Sequence, residues 1–338
     1  MKVLIYTDTH ISQYSSIVKS LGKKYSTRLE QLILSFNWAE KLAVDEGCQA
    51  VFNLGDTFDK PTINPMEATA VQEIQWNNLP HYVLVGNHDS NVQSLEYSSV
   101  AVLKKNGFNV LSEEYSFVDE ETDTKFIFIP YVAEDIRQKL DYPRTTAKQV
   151  ILSHNDIAGF NFGKFVSTEG FSVDEIEANC DLFLNGHLHN KGSLGKKIIN
   201  VGNLCGQNFN EDSFRYQHGA FILDTATMEL KFYENPYSLN FYKLLVDQNH
   251  PLSRYTFKDN AVLMIKCEKS CVEATKEYLD KIKPVAYRLN IYQDETVSSD
   301  DTEIKLEKVD HIQQFKDYIL ETLGNTEIVR DELAEVCK

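Results

Sequence analysis

Tyr82-Val83-Leu84-Val85-Gly86-Asn87-His88-Asp89 sets four apolar residues directly before Gly-Asn-His-Asp. The apolar half has the length of a buried strand. The polar half is more than a turn, because turn chemistry calls for Gly and Asn but not for His. Four further stretches share this grammar. The run 3–6 leads into Asp8-Thr9-His10, the run 50–54 into Gly55-Asp56, the run 149–152 into Ser153-His154-Asn155, and the run 182–184 into Gly186-His187-Leu188-His189. In sheets of buried strands, sites gather where strands end and loops begin. The clusters can therefore meet in space, and their residue types predict a metal site with two ions.

Working outward, residues 1–246 alternate strands with helices and then run strand after strand. The spacing of Leu29, Leu32, Ile33, Phe36, Ala39, Leu42 and Ala43 predicts a helix over about 26–46 with one apolar face. Thr27 with Glu30 reads as its capping box and Gly47 as its stop. Further helices are expected near 65–76, 94–105 and 132–140. From 181 to 246 the pattern is mostly strand, with turns at Gly192, Gly195 and Asn235-Pro236. The fold class expected is α/β (α+β): two packed mixed sheets flanked by helices. A strand–helix–strand module follows, within a domain of residues 247–293. Residues 294–307 read as an acidic linker around Ser298-Ser299-Asp300-Asp301. Residues 308–338 read as a tail of two short helices, 308–323 and 327–336. Its stripe of Ile312, Phe315, Ile319 and Leu323 needs either its own domain or a partner to cover it.

A chain of 338 residues is long enough for one large domain and one or two small ones. No apolar run reaches membrane-spanning length, and Met1 leads straight into a strand with no signal-peptide pattern, so a cytoplasmic protein without membrane partners is expected. The six cysteines include no Cys-x-x-Cys pair, which argues against a structural zinc site and for reduced core residues. Charges sum to 34 − 50 = −16, which alone disfavours nucleic acid, although metal ions in a cleft invert the local field. The basic clusters Lys19/Lys23/Lys24/Arg28 and Lys191/Lys196/Lys197 read as solvated surface.

Two-metal phosphoester hydrolysis needs a bridging carboxylate and an open position on each ion. Asp56 is the candidate bridge. Asp8, His10 and His189 would complete one site, and Asn87, His154 and His187 the other. Imidazole, carboxylate and amide oxygen together suit Mn, Fe or Zn better than Ca or Mg, and two manganese ions are the expected cofactors. His88 would face the substrate and either protonate the leaving oxygen or stabilise the charge that builds there. Each piece alone has a bland alternative: Asp8 as a turn cap, or the paired histidines as strand ends without a ligand role. Asp59 and Asp89 read as residues supporting the ligands or turns. His81, His250 and His311 take the bland reading, and His218 is read as structural, near the cleft at most.

This set of motifs resembles the calcineurin-like metallophosphoesterase superfamily over about residues 1–246. Within it, the chain resembles the SbcD-type nuclease subunits and their phage counterparts. The resemblance is carried by Asp8-Thr9-His10 after the first strand, Gly186-His187-Leu188-His189, Asn200-Val201-Gly202-Asn203, and His218-Gly219-Ala220-Phe221-Ile222-Leu223-Asp224, followed by the module and the tail. It implies a four-layer metallophosphoesterase sandwich and a Mn-dependent DNA exonuclease and endonuclease in a DNA repair and recombination complex. It also implies a homodimer through helices 65–76 and 94–105, an SbcC-type ABC ATPase docked on the tail helices, and a cap at 255–292 shaping a DNA groove. Ser12 stands where the family often has Gly. The compact length points to a bacterial or phage form, in the cell or infected-host cytoplasm. Two alternatives compete. One is a phosphodiesterase or phosphatase for a nucleotide or other small phosphoester. The other is a metal-free scaffold subunit, which the intact ligand set argues against.

Overall fold

The computed structural model describes residues 1–14, 24–89, 98–160 and 166–292. Strand β1 (Lys2–Tyr6) lies between β2 (Ala50–Asn53) and the late strand β11 (Gly219–Asp224). Sheet one is completed by β3 (His81–Leu84), β4 (Asn109–Leu111) and β12 (Glu229–Glu234), in the order β12-β11-β1-β2-β3-β4. The four early strands are parallel, and β11 and β12 are antiparallel additions. Sheet two contains β5 (Tyr115–Asp119), β6 (Thr124–Ile129), β7 (Lys148–Ser153), β8 (Leu182–Asn185), β9 (Gly192–Leu194) and β10 (Ile198–Asn200), in the order β5-β6-β7-β8-β10-β9. Each of the five apolar runs is a strand.

Side-chain alternation sorts these strands into layers. Val3 and Ile5 of β1 join Phe52, Leu84, Phe126, Phe128, Val150, Leu152 and Leu184 in the core between the sheets. Phe52 anchors it, with ring centroids 5.0 to 6.3 Å from Phe128, Phe126, Tyr82 and Phe117. Burying one such ring contributes about 1.5–3 kcal/mol. Leu4 and Tyr6 point the other way, onto α1 (Thr27–Asp45) and α2 (Pro65–Glu73). The far side of sheet two is covered by α4 (Val173–Asn179), after a short α3 (Ala101–Lys105) on the first side. Two mixed sheets flanked by helices is the architecture expected.

Several local readings need correction. The cap of α1 is Ser26, whose hydroxyl accepts the Leu29 N–H at 3.2 Å, not Thr27; Gly47 stops the helix at φ +71° as expected. Helix α2 ends at Glu73, three residues early, because Asn37 Oδ1 takes the Gln75 N–H at 2.8 Å. The helix expected over 132–140 is a single 3-10 turn, Glu134–Ile136. Beyond it the backbone pairs sideways with α4, Leu140 N–H donating to Glu175 and Tyr142 N–H to Asn179. Of the helix expected at 94–105, only residues 101–105 are helical among the described residues.

The largest difference concerns the small module. Strand β13 (Asn240–Val246) pairs in parallel with β14 (Ala261–Glu268), which pairs with β15 (Ala286–Tyr292). The three-stranded sheet therefore begins at Asn240, not after Val246. Phe241 packs into the α1 core, while Tyr242, Leu244 and Val246 pack with α5 (Val272–Ile282). One strand thus serves both cores, so periodicity alone could not assign it. Residues 1–293 form one compact unit. The linker 294–307 and tail 308–338 lie outside the described residues. No helix among the described residues is long and apolar enough to cross a membrane.

Candidate metal centre

The sequence-predicted residues converge at the loop ends of β1, β2, β3, β7 and β8. Three groups offer ligand atoms within 4.8 Å of one another: Asp8 with His10 and His189, Asp56 with His154 and His187, and His10 with Asp56 and His88. Asn87 joins the second group, its Oδ1 lying 3.0 Å from His187 Nδ1. Asp56 belongs to two of the three groups, and one of them also holds His88, which the sequence reading set toward the substrate.

Backbone geometry aims these side chains. Asp8, His10, Asp56 and His187 all have positive φ, at 50°, 44°, 48° and 72°. Each such residue costs about 1–3 kcal/mol and persists only where its surroundings impose it. Gly86 and Gly186 permit the close approach of the loops. A Cβ on Gly86 would stand 2.1 Å from Asp56 Oδ1, and one on Gly186 2.3 Å from Thr7 Oγ1.

Hydrogen bonds consume one face of each polar group and leave the other facing the centre. Asp8 Oδ2 accepts from Thr7 Oγ1 and the His187 N–H, at 2.7 and 3.0 Å, leaving Oδ1 toward His10 and His189. Asp56 Oδ1 accepts the His88 N–H at 2.9 Å. Its Oδ2 sits 3.6 Å from His10 Nε2 and 3.2 Å from His154 Nε2, between imidazoles of the two groups. His154 Nδ1 is held by the Leu54 carbonyl at 2.6 Å, and His189 Nδ1 by Glu211 Oε1 at 2.9 Å, so each turns Nε2 inward. His187 is reversed: Nε2 lies 3.5 Å from Asp156 Oδ2, and Nδ1 faces Asn87. Fixing one ring nitrogen through an oxygen is how a metal-binding imidazole is oriented.

The residues fit divalent ions. Asp8 Oδ1, both ring nitrogens of His10, and His154 Nε2 are buried without a hydrogen-bond partner. Buried polar atoms are normally paired, and Asp8 Oδ1, His10 Nε2 and His154 Nε2 all face the centre, which marks a place for a cation. His88 is exposed, and its Nδ1 meets the Asp59 carbonyl at 2.9 Å, leaving Nε2 as the atom that can give or take a proton. Asp89 supports the loop, accepting from the Phe58 and Gly86 N–H groups at 2.9 and 3.0 Å. Burial and the Asp56 charge push its carboxyl up to about 7.

Charges within the centre are interdependent. Burial pulls the His154 imidazole down, but the Asp56 carboxylate outweighs it and raises the pKa to about 9. Burial opposes ionisation of Asp8 too, yet the surrounding imidazoles hold it below the usual range. With only protein charges around it, His154 therefore carries a proton at pH 7, and a metal must displace that proton. Metal loading at pH 7 is expected to release about one proton from His154. Calorimetric titration in buffers of different ionisation enthalpy checks this; an enthalpy independent of buffer refutes it.

Sequence reasoning missed Glu211 and Asp156. Glu211 is buried in an irregular loop with no periodic pattern to betray it. Asp156 had one signal, its position just beyond His154-Asn155. Arg28, read as surface, is buried and donates to the His10 carbonyl at 3.2 Å. Of its cluster, Lys24 is exposed and pairs with Glu73, while Lys19 and Lys23 lie outside the described residues. His81 is structural, set between Glu40 at 3.0 Å and the face of Phe108. His218 is buried against Asn203, His250 pairs with Asp247, and His311 lies outside the described residues.

A viral protein called "Putative phosphoesterase 078R", from Invertebrate iridescent virus 3, is 31% identical over 119 residues, 33% of this chain; the matched part spans only 33% of the viral protein. Among solved structures, an archaeal phosphodiesterase aligns with 16% identity and TM-score 0.37, covering 69% of this chain and 99% of that one. A dimetal phosphatase from Danio rerio aligns with 12% identity and TM-score 0.43, covering 69% and 96%. Residues 1–269 match the calcineurin-like phosphoesterase family, a span that holds both sheets and every group of the metal centre. The chain belongs to the calcineurin-like phosphoesterase family.

Proposed function

We propose that this chain is a manganese-dependent DNA nuclease, cutting phosphodiester bonds exo- and endonucleolytically as the nuclease subunit of an SbcCD-type repair complex. The coarser reading is firm: a metallophosphoesterase is a hydrolase that uses divalent ions. Bound ions would supply an acidified water and neutralise the phosphate. Asp8, His10 and His189 would hold one, Asn87, His154 and His187 the other, and Asp56 both. His88 would hold the proton that the leaving oxygen takes.

The observation carrying the nucleic-acid part is a row of cations on the small sheet. Lys243, Met264 and Arg288 are register partners across β13, β14 and β15, and Lys266 follows Met264 on the same face. All three cations are exposed, in a chain of net charge −16. Phe241, Val262 and Met264 on that face pack against the α1 core. The cations therefore stand at its open margin, where Lys243 donates to Asn210 at 3.4 Å, next to Glu211 of the metal centre. Tyr292 lies beside Lys266, 5.0 Å from its ammonium, and an aromatic among cations suits a strand with exposed bases. The remaining parts of the reading are a homodimer through α2 and the 94–105 region, an ATPase partner on the tail, and a cytoplasmic setting.

The second reading, a small-phosphoester hydrolase, is favoured by one feature. A cleft of about 250 Å³ lies beside the centre, lined by Ser12, Tyr14, Asp59, Lys60, Asn64 and Glu67. Circular single-stranded DNA with Mn separates the two. The nuclease should nick the circle without ends. Charge reversal of Lys266 and Arg288 should weaken nicking at least about tenfold and flatten its salt dependence, leaving nitrophenyl phosphodiester hydrolysis unchanged. Hydrolysis of the small ester with no cutting of the circle would refute the nuclease. Deleting residues 305–338 should abolish capture of the ATPase and spare small-ester hydrolysis; normal capture would refute the docking role.

A further inference from the structure

One loop spans the metal centre and the small sheet. At its start, Gly206 N–H donates to Ser238 Oγ at 3.0 Å, and Gln207 Nε2 donates to the Asp8 carbonyl at 2.9 Å. At its middle, Glu211 is buried and fully engaged. Its Oε1 meets His189 Nδ1 at 2.9 Å and accepts from Asn208 Nδ2 at 3.1 Å, and its Oε2 accepts the Gln207 N–H at 2.7 Å. Two residues on, Ser213 makes a reciprocal pair with β13. Its N–H donates to the Phe241 carbonyl at 2.9 Å, and its hydroxyl accepts the Phe241 N–H at 2.8 Å. Phe214 then sets its half-exposed ring against Tyr242, Tyr255 and Phe257 of the module, at 4.7, 5.8 and 6.2 Å.

We infer that loop 206–214 is a mechanical tie: the seating of the three-stranded sheet sets the orientation of His189, with Glu211 as the positioning residue. The inference rests on the two-metal reading of the same centre. Three features carry it. Between Glu211 and the β13 anchor there is a single residue, too short a span to absorb a shift. The start and the middle of the loop touch the same half of the centre, Asp8 and His189, and none of these contacts is made to His154 or His187. The anchor is a reciprocal pair of bonds, one through the backbone and one through the Ser213 hydroxyl, plus an aromatic cluster, so it moves as one with the sheet. A substrate strand lying on Lys243, whose ammonium also meets Asn210 of this loop, would press on the tie directly.

The test is metal affinity, read without any substrate. Wild type should bind two Mn ions in calorimetric titration. Glu211→Ala should weaken one of the two about ten- to a hundredfold and leave the other within about twofold. Glu211→Gln keeps one acceptor for His189 and should fall between. Phe214→Ala, remote from any ligand, should weaken the same ion about three- to tenfold, and Phe214→Leu should restore it. The double variant Glu211→Ala/Phe214→Ala should lose no more than Glu211→Ala alone, because the two act through one tie. Nitrogen NMR of His189 supplies a readout that simple loss of charge would not move: both alanine variants should populate the other ring tautomer. Melting of the metal-free variants controls for folding. Wild type binding no metal pair would overturn the two-metal reading, and this inference with it. A wild-type pair with unchanged affinity and tautomer in Phe214→Ala would overturn the tie alone.

Discussion

Asp56→Asn leaves the chain folded and lowers metal-dependent kcat/KM by about a thousandfold or more, equivalent to at least ~4 kcal/mol of transition-state stabilisation. The reason is the position of one atom. Asp56 Oδ2 is 3.6 Å from a nitrogen of the first group and 3.2 Å from a nitrogen of the second. An amide there offers a neutral acceptor or a donor, and neither can serve two cations. The fold survives because the other oxygen accepts only the His88 N–H, a role that an amide oxygen fills. Melting provides the companion measurement. A ligand that binds only the native state raises its stability in proportion to the logarithm of ligand over Kd. Mn should therefore raise the melting temperature of wild type and leave that of Asp56→Asn unmoved. Full activity in the variant would remove Asp56 from the centre of the mechanism.

His88→Ser has a different signature. It should lower turnover of a DNA phosphodiester by about a hundred- to ten-thousandfold, the usual worth of a positioned general acid. Bound metal should stay at the wild-type count. The exposed ring is held by one nitrogen on the Asp59 carbonyl and packs edge-on to His10, 4.8 Å between centroids. The free nitrogen is thus beside the centre and open to a substrate. A nitrophenyl ester, whose leaving group departs without a proton, should be far less affected than DNA. Equal losses on both substrates, with metal content reduced, would instead make His88 a ligand of the group formed by His10 and Asp56.

The contrast between Glu211 and Asp56 explains what sequence can reveal. Asp56 is legible because strand β2 ends three residues before it, and the strand end fixes where it goes. Glu211 holds an inward-facing imidazole just as firmly, but it comes from irregular backbone whose course is set by Asp8, Ser238 and β13. Similarly, the 132–140 segment has helical spacing, yet α4 offers its backbone better partners than its own turns do. Arg28 reads as a surface cation and is buried on the His10 carbonyl. Local patterns fail where the deciding hydrogen bond comes from far along the chain.

The sequence by itself determined the two-sheet architecture and the eight polar residues at its strand ends. Continuous apolar runs of strand length are local properties, and a site at strand ends follows from them. Only the tertiary structure decided which oxygen of Asp56 lies between the two groups, which ring nitrogen each histidine turns inward, and that β13 belongs to the small sheet. Those outcomes depend on contacts between separate stretches of chain, from His189 on Glu211 and β13 on β14 to His154 on Leu54 and His187 on Asp8. Such contacts exist only once the chain has folded and brought the loops together.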